Sequence, residues 1–148
     1  MVHDFKRFPE LRNNQIDEFY FDSPHKQITE SFDATVVKVT DGDTIRVKCN
    51  FRDFDFPIRF SNIDAPEKDT RAGVNSKRWL ENKILNANVH VKIDPRKRVG
   101  KWGRLLAEII HIGRNINELS LDELQSVPFG ELPDGAIPDV SNWENEIK

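Results

Sequence analysis

Three acidic residues and two arginines are spaced so that they could serve a phosphate group. Asp43 lies in DGDT, and Asp64 and Glu67 lie in DAPE. Arg59 opens RFSNIDAPE five residues before Asp64, and Arg104 follows a glycine in KWGR. Two or three carboxylates with a backbone carbonyl form a site for a hard cation. With no His or Cys close by, zinc is not expected. The planar fork of arginine can grip two phosphate oxygens at once. Such a set can serve in-line attack of water on a phosphodiester. The cation neutralises phosphate oxygens, a carboxylate orients or deprotonates the water, and the arginines stabilise charge on five-coordinate phosphorus. Each piece alone has a plainer reading: Asp-Gly makes tight turns, Asp before Ala-Pro can cap a bend, and a single arginine usually lies in solvent.

A second feature lies downstream. VKIDPRKRVGKWGR carries Lys92, Arg96, Lys97, Arg98, Lys101 and Arg104 against one acid, Asp94. A loop of this kind can track a phosphate backbone, with Trp102 free to stack on a base. The plainer alternative is an exposed charged loop with Trp102 packed in the wall of the domain. His3, His25, His90 and His111 are scattered without ligand spacing and receive no role.

Charge is distributed unevenly. The net charge of −3 hides a basic middle, with 17 basic and 10 acidic residues over 34–114. Residues 1–33 hold 4 basic and 7 acidic side chains, and 115–148 hold 1 and 8. The middle would attract a polyanion and the C-terminal part would repel one. The 148 residues suffice for one domain with a real core, to which ten Phe and three Trp contribute bulk. Cys49 is the single cysteine, which excludes an intrachain disulfide and a multi-cysteine zinc site. No apolar run is long enough to span a membrane, and MVHDFKRFPELRNNQ lacks the apolar stretch of a signal peptide. A cytoplasmic protein without membrane contact is the expectation.

The elements that would position these residues are mostly strands. ATVVKV is β-branched, DGD turns, and TIRVKCNF alternates with Ile45, Val47, Cys49 and Phe51 on one face. FDFPIRFSNI alternates again, placing Phe54, Phe56, Ile58 and Phe60 opposite Arg59, with Pro57 marking an edge or bulge. GVNSKRWLENKILNAN has helical spacing at Leu80, Ile84 and Ala87. VHVKIDP and RLLAEIIHI are a fourth and fifth strand, and INELSLDEL a further helix. The fold class expected is mainly β with helices: a five-stranded OB-fold Greek-key barrel with one helix after strand three and another after strand five. Residues 34–126 would form the barrel. Residues 1–33 would be an N-terminal extension with one short helix capped at Asn13 or Asn14, and 127–148 an acidic irregular tail.

With ATVVKVTDGDTIRV, IRFSNIDAPE and KWGRLLAEI in this order, the chain resembles the thermonuclease family, of which staphylococcal nuclease is the best-known member. The likeness runs from about Ala34 to Leu119. It implies a calcium-dependent endonuclease on an OB-fold, cleaving DNA, RNA or both and leaving 3′-phosphates. Asp43 and Asp64 match the calcium carboxylates, and the carbonyl of Ala65 a backbone ligand. Glu67 matches the general base, and Arg59 and Arg104 the phosphate-binding arginines. Lys101 and Trp102 fall where the family has a Lys-Tyr pair near the nucleotide, so Trp102 keeps stacking but loses a hydroxyl. The family's long C-terminal segment has no counterpart here. Barrels of this family also occur as non-catalytic modules binding nucleic acid or protein, usually with substitutions among the acids and arginines; none is lost here. The acidic tail could also fold over the basic face and compete with nucleic acid.

Overall fold

Alternation along three consecutive segments makes one face of each apolar, and closing the sheet is the way to bury all three faces at once. The computed structural model describes residues 3–100 and 103–130. Strands β1 (Phe32–Asp41), β2 (Thr44–Cys49) and β3 (Arg52–Phe60) form an antiparallel meander. After the short β4 (Ile63–Asp64) and helix α2 (Arg71–Ile84), strand β5 (Asn88–Lys92) pairs antiparallel with β1. Strand β6 (Leu105–His111) then pairs antiparallel with β5 and parallel with β3, which closes the sheet into a five-stranded barrel. The order β1-β2-β3-β6-β5 is that of the OB-fold, and both expected helices follow the strands assigned to them. The second is α3 (Ile116–Asp122), reached through β7 (Arg114–Asn115). No described helix is long and apolar enough to cross a membrane.

Val36, Val39, Ile45, Val47, Phe56, Ile58, Phe60, Leu105 and Ile109 fill the barrel, with Leu80 and Ile84 of α2 packed against it. The alternation fails at the far end of the β2–β3 ladder. Phe51 lies in the turn and Phe54 at the start of β3, and they stay 47% and 36% exposed. Pro57 pairs across from Arg46, while β3 meets β6 only from Ile58 onward. Its missing N–H therefore costs no rung of the parallel ladder. Helix α2 starts two residues earlier than its apolar spacing suggests, because Thr70 caps it by accepting from the Gly73 amide at 3.0 Å. It stops at Ile84, before Ala87, and Asn86 takes φ +65°.

Asn117 ties α3 to the barrel. Its side chain accepts from the Ile109 amide at 3.1 Å and donates to the carbonyls of Ser61 and Ala107 at 2.8 and 3.1 Å. It is 3% exposed, so losing it leaves the Ile109 amide and the Ser61 carbonyl without these bonds, while the Ala107 carbonyl keeps the Ser61 amide at 2.9 Å. Asn117→Ala is expected to lower stability by about 2–4 kcal/mol, read as a reduced urea midpoint.

Both terminal regions are tied to the barrel. Residues 3–31 pack onto the barrel through a buried ionic cluster, in which Glu10 pairs with Arg52 at 2.6 Å and with Arg98 at 2.9 Å. The expected helix exists as α1 (Asn13–Phe19), but its cap is Arg12, whose amide donates to the Gln15 side chain at 3.1 Å. The tail does not become irregular at residue 127. Strand β8 (Val127–Pro128) pairs antiparallel with β4, Val127 opposite Asp64.

Candidate active site

The site grows out of the turn joining β1 to β2. A register shift between Val39 and Asp41 turns the end of β1, and such bulges re-aim side chains. Asp41 accepts from the Asp43 amide at 3.1 Å, the local bond that shapes an Asx turn. Gly42 between them must lack a side chain, since a Cβ there would lie 2.0 Å from Ser76 Oγ and 2.9 Å from Ala65 Cβ. The turn is thus pressed against α2 and against the segment after β4. Asp43 is buried; its Oδ1 accepts from the Thr44 hydroxyl at 3.0 Å and its Oδ2 from the Ala65 amide at 2.9 Å.

Arg59 reaches this turn because it pairs across the ladder with Thr44. Its Nη2 lies 2.6 Å from Asp64 Oδ1 and 3.3 Å from Asp43 Oδ2. Its Nη1 donates to the carbonyls of Phe60 and Ile63 at 2.7 and 2.8 Å. The other oxygen of Asp64 accepts from the Gly130 amide at 3.3 Å. Arg104 enters from β6, whose first residue Leu105 pairs with Ile58, and its Nη1 donates to the Thr44 hydroxyl at 3.4 Å. Arg104 Nε is buried without a hydrogen-bond partner among the described residues. Burial, and then the neighbouring charge of Arg59, push the Arg104 guanidinium below its usual pKa, while Asp43 and Asp41 pull the other way.

The spacing of DGDT and DAPE therefore brings together Asp43, Arg59, Asp64, Ala65 and Arg104. It missed Asp41. Burial first, then the side-chain hydrogen bond and charge of Asp43, raise the Asp41 carboxyl to about 7, with the Asp43 amide and then Arg59 opposing. The unfolded chain releases this proton near 4, whereas the folded one holds it to about 7. Folding is thus opposed increasingly as pH climbs between those values. With EDTA present, Asp41→Asn is expected to raise the melting temperature at pH 7.5 and to leave it nearly unchanged at pH 4. Equal shifts at the two pH values would contradict this origin.

Glu67 is exposed, and its place is set through its backbone. Its carbonyl accepts from the amide and hydroxyl of Thr70 at 3.0 and 2.7 Å. Helix α2 comes so near that a Cβ on Gly73 would lie 1.9 Å from the Glu67 oxygen. The capped end of α2 thereby fixes the start of the stretch that leads back to Asp64.

The basic loop divides. Arg96 and Lys97 are exposed, and Lys97 Nζ stands 5.9 Å from the Phe129 ring. Lys101 and Trp102 lie outside the described residues. Arg98 is corrected: it was expected among the substrate-binding residues and is 2% exposed. Its donors are turned inward, onto Glu10, Asn13 and the carbonyls of Leu11 and Ile28. A guanidinium held in this way presents no open edge to a phosphate.

The donor set near the turn is all oxygen, which suits calcium or magnesium and not zinc. Among the described residues no three His, Cys, Asp or Glu side chains converge on one ion position. Arg59 holds Asp43 Oδ2 and Asp64 Oδ1, two of the oxygens such an ion would share.

Residues 57–123 match the family model for staphylococcal nuclease homologues. That range holds Arg59, Asp64, Ala65, Glu67 and Arg104 but begins after Asp41 and Asp43. A protein of Haemophilus influenzae described as an uncharacterized endonuclease is 34% identical over 82 residues, or 55% of this chain and 44% of the relative. The chain thus spans less than half the length of this curated relative.

Proposed function

We propose, from the match of residues 57–123 to the family model for staphylococcal nuclease homologues and from the site geometry, that the chain hydrolyses phosphodiester bonds of DNA or RNA with calcium as cofactor, as an endonuclease leaving 3′-phosphates. The observation that carries this reading is the meeting of Arg59 and Arg104 with Asp41, Asp43 and Asp64 at one end of the barrel. An Arg104 guanidinium whose charge Arg59 disfavours, with a buried Nε that has no hydrogen-bond partner among the described residues, fits a site that completes its bonding with an anion.

Asp43, Asp64 and the Ala65 carbonyl would hold the cation, and Asp41 adds a fourth oxygen source beside them. A bound calcium ion would neutralise phosphate oxygens and favour a coordinated water. The chain's own groups do the rest. Arg104 binds the phosphate from the β6 side. Arg59 stands on the β3 side, and the phosphate competes with Asp43 and Asp64 for its fork. Both arginines stabilise charge that grows on the equatorial oxygens. Glu67 takes the water's proton as oxygen attacks phosphorus, and the bond to the 5′ oxygen breaks opposite the attack, that oxygen taking a proton from solvent to leave as a hydroxyl. Exposed Arg96 and Lys97, with Lys101 and Trp102 after them, would guide the flanking strand.

The test is cleavage of end-labelled single-stranded DNA and RNA with calcium and with EDTA, followed by phosphatase treatment of the products. Cleavage only with calcium, yielding 3′ ends sensitive to phosphatase, is expected. Equal cleavage in EDTA would overturn the calcium assignment. Nucleic-acid binding that is indifferent to calcium, with no cleavage, would favour a binding module instead.

A further inference from the structure

We infer that residues 8–13 form a positioning clamp for the loop that delivers Arg104, with Glu10 at its centre. The inference rests on the phosphate-binding role proposed for Arg104. These residues lie outside the segment matched to the family, which covers 57–123.

Residues 8–13 hold one loop at three positions, Pro95, Arg98 and Gly103. Asn13 Nδ2 donates to the Pro95 carbonyl at 2.9 Å, and Asn13 Oδ1 accepts from Arg98 Nη1 at 3.0 Å. Glu10 Oε2 takes Arg98 Nη2 at 2.9 Å, while the Leu11 carbonyl takes Nη1 at 2.9 Å. Phe8 covers Gly103, where a Cβ would lie 2.9 Å from the phenylalanine Cβ. Gly103 has φ +66°, so a side chain there would be strained as well as crowded.

The loop passes this constraint on. The Arg98 carbonyl accepts from the Leu106 amide at 2.7 Å, and the Gly100 amide donates to the Arg104 carbonyl at 2.9 Å. Val99 also bridges to Leu105. Arg104 therefore stands on the returning arm of a hairpin whose outgoing arm is bolted by Arg98. Glu10 shares its carboxylate between Arg98 and Arg52, all nearly sealed from water. Arg52 Nε and Nη1 find no hydrogen-bond partner among the described residues, and its guanidinium instead faces the rings of Phe54 and Phe56 at 5.2 and 4.6 Å. One acid between two buried cations is a poor source of net stability, and the best-attested use of buried ionic groups is to select one arrangement. Here the arrangement selected is the placement of the loop before β6.

The experiment uses the full chain and the variants Asn13→Ala and Glu10→Gln, each alone and combined with Arg104→Lys. Cleavage kinetics and amide hydrogen exchange over residues 98–106 are measured on each. Misplacing a reacting group by about 1 Å can cost about 10²-fold. Glu10→Gln is expected to lower kcat by about 10–100-fold and Asn13→Ala by about 3–10-fold, with exchange faster over 98–106. In the Arg104→Lys background both effects on kcat should vanish, because the residue they position is already altered. Losses that multiply independently of Arg104, or unaltered exchange over 98–106, would overturn the clamp. If Glu10→Gln does not fold, Asn13→Ala, which removes only exposed and half-buried bonds, decides the matter. If the unaltered protein cleaves nothing, the nuclease reading fails, and the exchange measurement still judges the clamp.

Discussion

Glu67→Gln is expected to lower kcat for cleavage by about 10²–10⁴-fold, the range typical for loss of a positioned base. KM should change little, because the amide keeps the size of the side chain and no phosphate contact is assigned to it. Stability should stay within about 0.5 kcal/mol, since the side chain is exposed and the bonds that anchor this position belong to its backbone. An unchanged urea midpoint beside a collapse in turnover is the signature sought. Full turnover in Glu67→Gln would remove Glu67 from the chemistry and leave Asp41 as the carboxylate to examine next.

The second large effect concerns Arg104. Replacing it with Met is expected to cost about 10²–10³-fold in turnover, comparable with losing one fixed donor to a developing oxyanion. Stability should move the other way. Burial and the charge of Arg59 both disfavour the Arg104 guanidinium in the folded chain, and its Nε is buried without a bond among the described residues. An apolar side chain of similar length escapes these costs, so the urea midpoint should rise. Function and stability are then opposed at one residue, as expected where a site is poised for an anion. A variant that is both less stable and fully active would contradict this account.

The barrel was legible because its strands alternate cleanly at Ile45, Val47, Phe56, Ile58 and Phe60, all of which are buried. The four charged residues Asp43, Arg59, Asp64 and Arg104 were legible because their positions follow once the strand order is guessed: just before β2, on β3, on β4 and just before β6. Arg98 was misjudged because its partner Glu10 is 88 positions away, and a run of basic residues looks alike whether it faces water or a distant carboxylate. Asp41 was passed over because it closes a strand, and only the bulge beside it turns the carboxylate toward Asp43. The DGD triplet did contain the signal, two acids around a glycine that has no room for a side chain. Strand β8 was hidden by its two-residue length, too short for any periodicity to show.

The pairing of β8 with β4 determines where the chain can be cut. Severing it after residue 126 looks natural from the acidic, proline-rich composition of residues 127–148. That cut would strip Val127 from beside Asp64 and the Gly130 amide from its carboxylate, leaving a proposed calcium ligand without its scaffold. Shortened proteins made to ask whether the acidic stretch restrains the proposed cleavage should therefore keep Gly130 and begin no later than Phe8. A shorter piece would confuse the removal of a brake with the loss of the wheel it acts on.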